Sequence, residues 1–116
     1  LFKKKTEYAI STGLVGSELC IRDRIDSGGK IVNAAKVLKE KGAKEIHVYI
    51  THGVLSGDAV NKIRKSTIKN LVITDTIDNY NKIKNAKNIE ILSVSNLMGE
   101  AIRRISNSTS VSFLFK

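Results

Sequence analysis

Apolar and polar positions alternate most regularly from residue 30 onward. In KIVNAAKVLKEK, residues 30–41, Ile31, Ala34, Ala35 and Leu38 fall on one helical face, with Val37 beside them. Gly42 stands where a helix C-cap glycine belongs. EIHVYI, residues 45–50, is rich in β-branched residues and predicts a buried strand. THGVLSG reads as a loop with two glycines, and residues 58–65 as a short helix carrying Ala59, Val60 and Ile63. LVIT, residues 71–74, predicts a second strand. A polar Asn- and Lys-rich stretch over 78–88, read as a mobile loop, leads to a third strand over 89–94. A helix over 96–105 and a short final strand, SVSFLF at 110–115, complete the pattern.

Strands alternating with helices predict an α/β fold with a parallel sheet, right-handed crossovers and helices on both faces. Ligands in such sheets sit beyond the C-terminal ends of the strands, which here means the loops at 22–29, 51–57 and 75–79. The beginning of the chain does not follow the pattern. LFKKKTEYAISTGLVG is a basic cluster with a mixed tail. SELCIRDR, residues 17–24, has only Leu19, Cys20 and Ile21 as apolar residues and four charged ones, so it makes a poor strand just where the sheet needs one.

Composition narrows the class. The 116 residues are 41% hydrophobic, enough for one compact domain with a modest core. The first residue is Leu, which leads us to expect a piece of a longer protein. No apolar run is long enough to span a bilayer and no secretory signal opens the chain. The one cysteine, Cys20, cannot form an internal disulfide, so a cytoplasmic setting is expected. The net charge of +9 is compatible with nucleic acid, anionic lipid or phosphorylated small molecules. The lysines are spread along the whole chain, and three Tyr and three Phe offer little stacking surface. Neither nucleic acid nor membrane is therefore expected as a partner.

The chemistry concentrates at Asp26-Ser27-Gly28-Gly29, which opens the first regular helix. Backbone N–H groups at a helix N-terminus, with the positive end of its dipole, suit a phosphate, and glycine lets the backbone approach it. Ser27 adds a hydroxyl and Lys30 a charge. Asp23 and Asp26 can accept hydrogen bonds from sugar hydroxyls or sit near a magnesium ion. The spacing is neither G-x-G-x-x-G nor that of a P-loop. A turn in which Asp26 or Ser27 merely caps the helix fits the residues equally well.

The order of motifs decides between these. IDSGG, THGVLSGDAV, LVITDTI, SVSNLMGEAIRRI and SVSFLF resemble, in this order, the C-terminal part of ribose-phosphate diphosphokinases, over residues 25–115. The resemblance implies a truncated type I phosphoribosyltransferase-like parallel-sheet fold over 25–116, preceded by a remnant or anomalous segment over 1–24. In that family ATP gives its β,γ-diphosphoryl group to ribose 5-phosphate, with magnesium bridging the phosphates, to form phosphoribosyl diphosphate and AMP. The resemblance implies that Asp26, Ser27, Gly28, Gly29 and Lys30 cradle the sugar 5-phosphate and that Asp23 reads the ribose hydroxyls. Ser110, Ser112 and Phe115 match a motif lining an effector phosphate site at a subunit contact. An alternating edge strand is the competing reading there. Lys3, in the cluster Lys3–Lys5, is the best match to a catalytic loop residue, against a solvated basic tail. No residue is assigned as a metal ligand.

The chain departs from the family pattern next to the glycine loop. The first of two acidic positions is Arg22, an apolar position is Arg24, and the family threonine is Lys30. An arginine cannot accept a hydrogen bond from a ribose hydroxyl, so half of the sugar-reading pair is missing. These changes border residues 17–24, which fit neither the sheet nor the family, and are expected to be an anomalous junction, with genuine divergence as the rival. His52 follows a strand at the ligand edge and is expected as a loop residue or an acid/base, whereas His47 is expected to be packed. Arg103 and Arg104 are expected on the exposed face of their helix. Asp75 ends a strand where a ligand can meet it. A homo-oligomer is implied for the full-length family. A free-standing phosphoribosyltransferase and a non-catalytic regulatory paralogue remain as alternatives.

Overall fold

The computed structural model describes residues 17–115, with residues 17–21 described by their backbone. Four parallel strands run β1 (Ser17–Ile25), β2 (Glu45–Gly53), β3 (Asn70–Thr74) and β4 (Ile89–Leu92), and lie in that same order across the sheet. Helix α1 (Gly29–Glu40) links β1 to β2, α2 (Ala59–Arg64) links β2 to β3, and α3 (Ser95–Ser106) follows β4. The expected helices and middle strands are present, with ends moved by a few residues. At the end of α1, Gly42 N–H donates to Lys39 O and Ala43 N–H to Leu38 O, with Gly42 at φ +105°. This paired closure is the glycine-dependent helix end that the sequence announces.

One face of the sheet carries the core. Ile46, Val48 and Ile50 of β2 and Leu71 and Ile73 of β3 are buried against Ile31, Ala35 and Leu38 of α1 and Ala59 and Ile63 of α2. The alternate residues, such as Tyr49 at 42% exposure, point the other way. The expectation of helices on both faces is thus corrected among the described residues. Strands that step in a single direction, joined by crossovers of a single hand, place every crossover on the same side. α1 and α2 are such crossovers, whereas α3 follows β4 and buries no residue among those described.

Three local expectations also change. The segment read as a poor strand forms β1, in register with β2 from Ser17 opposite Glu45 to Ile25 opposite Gly53. Its charges are tolerated because β1 is an edge strand among the described residues, where charged side chains reach water; Arg22, Asp23 and Arg24 are all exposed. SVSFLF is not a strand. Among the described residues it has no strand partner beyond α3, and Ser112–Phe115 coil into a 3-10 helix, with Leu114 N–H donating to Val111 O at 3.0 Å. Residues 78–88, expected to be mobile, pack through Asn79, Ile83 and Ala86.

Candidate functional site

The glycine loop lies where β1 ends and α1 begins, at the C-terminal edge of the sheet. Ile25 is buried and anchors it, while Asp26 and Ser27 are exposed. Gly28 adopts φ +80°, a left-handed conformation that favours glycine. A Cβ placed on it would stand 3.6 Å from Ala59 and Ile63, so the turn sits directly on α2. No side chain caps α1. The capping alternative for Asp26 and Ser27 is therefore not realised, and the first N–H groups of a 12-residue helix face the loop.

A cleft of about 590 Å³ opens over this turn. Arg22, Asp23, Asp26, Ser27, Gly28 and Lys30 line it, with Arg24 beside them and Ile31, Ile50 and Val54 as an apolar floor. Three cationic side chains thus stand against two carboxylates, a balance that favours an anion. Of the loop residues singled out in the sequence, only Gly29 is not on the wall. It begins α1 with open space around it. Asp23 Oδ1 accepts the Arg24 N–H at 3.0 Å. Arg22, opposite Ile50 in the register, shares the cleft with it and takes the place of the expected carboxylate.

A second loop holds the first. Val54 N–H donates to Ile25 O at 2.9 Å and Ser56 N–H to Asp26 O at 3.0 Å. The Ser56 hydroxyl donates to Asp26 Oδ1. Behind that loop, Asn79 is 1% exposed and its Nδ2 donates to Gly53 O at 2.5 Å. Sequence reasoning passed over Ser56 and Asn79. Ser56 stood within a motif quoted as a whole, and Asn79 within a stretch too polar to suggest burial.

The other candidates lie elsewhere. His52 is exposed, with Nδ1 2.8 Å from Thr76 Oγ1, and does not line the cleft. His47 is half-buried beside Glu45. Asp75 is engaged rather than free. Hydrogen bonds from Ser93 and the Val94 N–H hold its carboxyl below the ordinary value. Ser110 and Ser112 share a hydroxyl contact at 2.6 Å, and Phe115 is 78% exposed; none of the three lines the cleft. Arg103 is exposed as expected, but Arg104 is not fully so. Its guanidinium lies 4.9 Å from the Phe113 ring centre and bonds Glu100 and Ser110 O. Hydrogen bonds from Arg103 first, and then Arg104, draw the Glu100 pKa down to about 2. Lys3 lies outside the described residues. Among the described residues no three His, Cys, Asp or Glu side chains gather as a metal site, and no helix is long and apolar enough to cross a membrane.

Comparison with known proteins agrees with this fold. The chain is 50% identical over 113 residues to a ribose-phosphate pyrophosphokinase of Hyphomonas neptunium, covering 96% of this chain and 36% of that protein. It is 53% identical over 97 residues to the ribose-phosphate pyrophosphokinase of Brucella melitensis, covering 84% of this chain and 31% of the relative. The chain thus spans about a third of the length of these relatives. The fold superposes on phosphoribosylpyrophosphate synthetase from Mycobacterium smegmatis with a TM-score of 0.75 and 29% identity, over 79% of this chain and 30% of that one. The phosphoribosyl synthetase-associated domain matches residues 2–116, nearly the whole sequence, and the chain belongs to that family.

Proposed function

We propose that this chain is the ribose 5-phosphate-holding part of a ribose-phosphate diphosphokinase. The observation that carries this reading is the cleft over the glycine loop, where an uncapped helix N-terminus, Ser27 and Lys30 converge beside Asp23. The phosphate would take the N–H groups of residues 27–30 and the Ser27 hydroxyl, with Lys30 as a point charge. Asp23 would accept from a ribose hydroxyl. Holding the sugar still lowers the entropic part of the barrier to diphosphoryl transfer. Arg22 removes one acceptor, so ribose is gripped by one carboxylate and not two.

Magnesium would come with ATP. The Asp23 carboxylate in an open cleft suits an ion that keeps substrate phosphates and water as most of its ligands, rather than an all-protein cage. The ion would neutralise charge on the transferring diphosphoryl group. Lys3 is proposed to stabilise that group too, and Ser110, Ser112 and Phe115 to belong to an effector phosphate site at a contact between subunits of a homo-oligomer. We assign residues 1–24 to a remnant or anomalous segment whose end supplies the strand β1, 25–116 to the phosphoribosyltransferase-like domain, and the protein to the cytoplasm.

Because the chain spans a third of its relatives, it is expected to bind ribose 5-phosphate but to form no phosphoribosyl diphosphate from it and MgATP. Calorimetry with ribose 5-phosphate and with phosphoribosyl diphosphate tests the binding, and AMP release tests the catalysis. Product formation by the 116-residue chain would overturn the division of labour. Arg22 on the cleft wall favours one second reading, a non-catalytic regulatory paralogue. Binding of neither ligand would support it.

A further inference from the structure

Asp26 presents an electrostatic difficulty. It lines a cleft suited to an anion, next to the N–H groups proposed to hold a phosphate. A free carboxylate there would repel the ligand and compete for the same donors. The structure gives the carboxylate another partner. Ser56 donates to Asp26 Oδ1 through its side chain and to Asp26 O through its backbone N–H at 3.0 Å. Ser56 itself does not line the cleft.

Ser56 is held firmly. Leu55 before it is 1% exposed and adopts φ +50°, and Gly57 after it adopts φ +57°. A non-glycine residue in that region persists only where its surroundings fix it. Burial of the Leu55 side chain and the bonds of Val54 and Leu55 N–H to Ile25 O do so. Asn79 secures the start of the same loop at Gly53 O. A Cβ on Gly53 would come within 2.9 Å of Ile73 Cδ1 and 3.3 Å of Asn79 Nδ2, so the loop is seated against the core with little room to move.

We propose that Ser56 is a positioning residue: its hydroxyl holds the Asp26 carboxylate on loop 53–57, leaving the N–H groups of the glycine turn free for the anionic end of the ligand. This rests on the ribose 5-phosphate reading of the cleft. Ser56 acts through Asp26 and does not touch the sugar phosphate.

The test is a cycle of variants in the 116-residue chain, read by titration with ribose 5-phosphate. Ser56→Ala is expected to weaken binding about 5- to 10-fold, the scale of one hydrogen bond. Ser56→Thr, which keeps the hydroxyl, is expected to bind close to wild type. Adding Asp26→Asn to Ser56→Ala is expected to recover affinity, because the released group then carries no charge. A residue that only supported the fold would give a double variant no better than Ser56→Ala, and that result overturns the proposal, as does wild-type affinity in Ser56→Ala. If the wild type binds no ribose 5-phosphate, the functional reading fails and the positioning role is decided without ligand. The amide resonances of Ser27 and Gly28 are then expected to move in Ser56→Ala and not in Ser56→Thr. Resonances that stay in place in both would overturn it.

Discussion

Replacing Asn79 by aspartate removes two N–H donors from a dry site while leaving its shape almost unchanged. Asn79 donates to Gly53 O at 2.5 Å and to Ile77 O at 3.3 Å, and is 1% exposed. An ionised aspartate would turn acceptor oxygens toward both carbonyls, so the folded protein is expected to keep the acid protonated. Its folded pKa then stands above the unfolded value of about 3.9. At or below about pH 4 the cost is one missing hydrogen bond, about 1 kcal/mol. As pH rises, the unfolded chain releases a proton that the folded chain retains. Each pH unit then costs about 1.4 kcal/mol until the folded pKa is reached. A rise of about 2–3 units gives a loss of about 4–5 kcal/mol at neutral pH, a large share of the 5–15 kcal/mol that holds an ordinary domain together. Urea denaturation followed by circular dichroism, at acidic and neutral pH, measures both figures. Asn79→Ala is the control, since it creates a cavity and loses the same donors without adding a titrating group. Equal destabilisation by Asn79→Asp at the two pH values would refute the donor role assigned to Asn79.

Arg22→Asp restores the missing acidic position and, at an ionic strength that screens the added charge, is expected to tighten ribose 5-phosphate binding about tenfold by calorimetry, the worth of a hydrogen bond to a charged acceptor. Unchanged or weaker binding would show that Arg22 is not where the sugar lies. Gly28→Ala is expected to cost about 1–2 kcal/mol in urea denaturation, from the left-handed backbone alone, because the added Cβ meets Ala59 and Ile63 at an ordinary 3.6 Å. The Glu100 pairs with Arg103 and Arg104 contribute fully above the unfolded pKa of about 4.5 and are lost as pH falls toward about 2. The difference in urea midpoint between wild type and Glu100→Gln should therefore shrink over that window, and a constant difference would contradict the pairing.

The periodicity of residues 30–41, with Gly42 after it, was enough to place α1 and its end, because both depend on local geometry. The strands at 45 and 71 were equally legible from their β-branched runs. The glycine loop was legible as a turn into a helix, but not as an uncapped one, since Asp26 and Ser27 are good caps by type. What diverts Asp26 is Ser56, thirty residues further on, and no local pattern reports such a partner. The polar run at 78–88 misled in the same way. Its one buried amide is buried because a carbonyl of β2 needs a donor.

The sequence by itself determined the alternation of strands and helices, the position of the phosphate-like turn and, through ordered motifs, the family. These rest on short-range periodicity and on residue identity, which the chain carries along its length. Only the tertiary structure decided that SELCIRDR forms a strand, at the edge of the sheet among the described residues, that α1 and α2 share one face, and that SVSFLF coils instead of pairing. Each of these depends on which neighbour supplies hydrogen bonds or removes water, and a strand, a covered face or a buried amide exists only in relation to that neighbour.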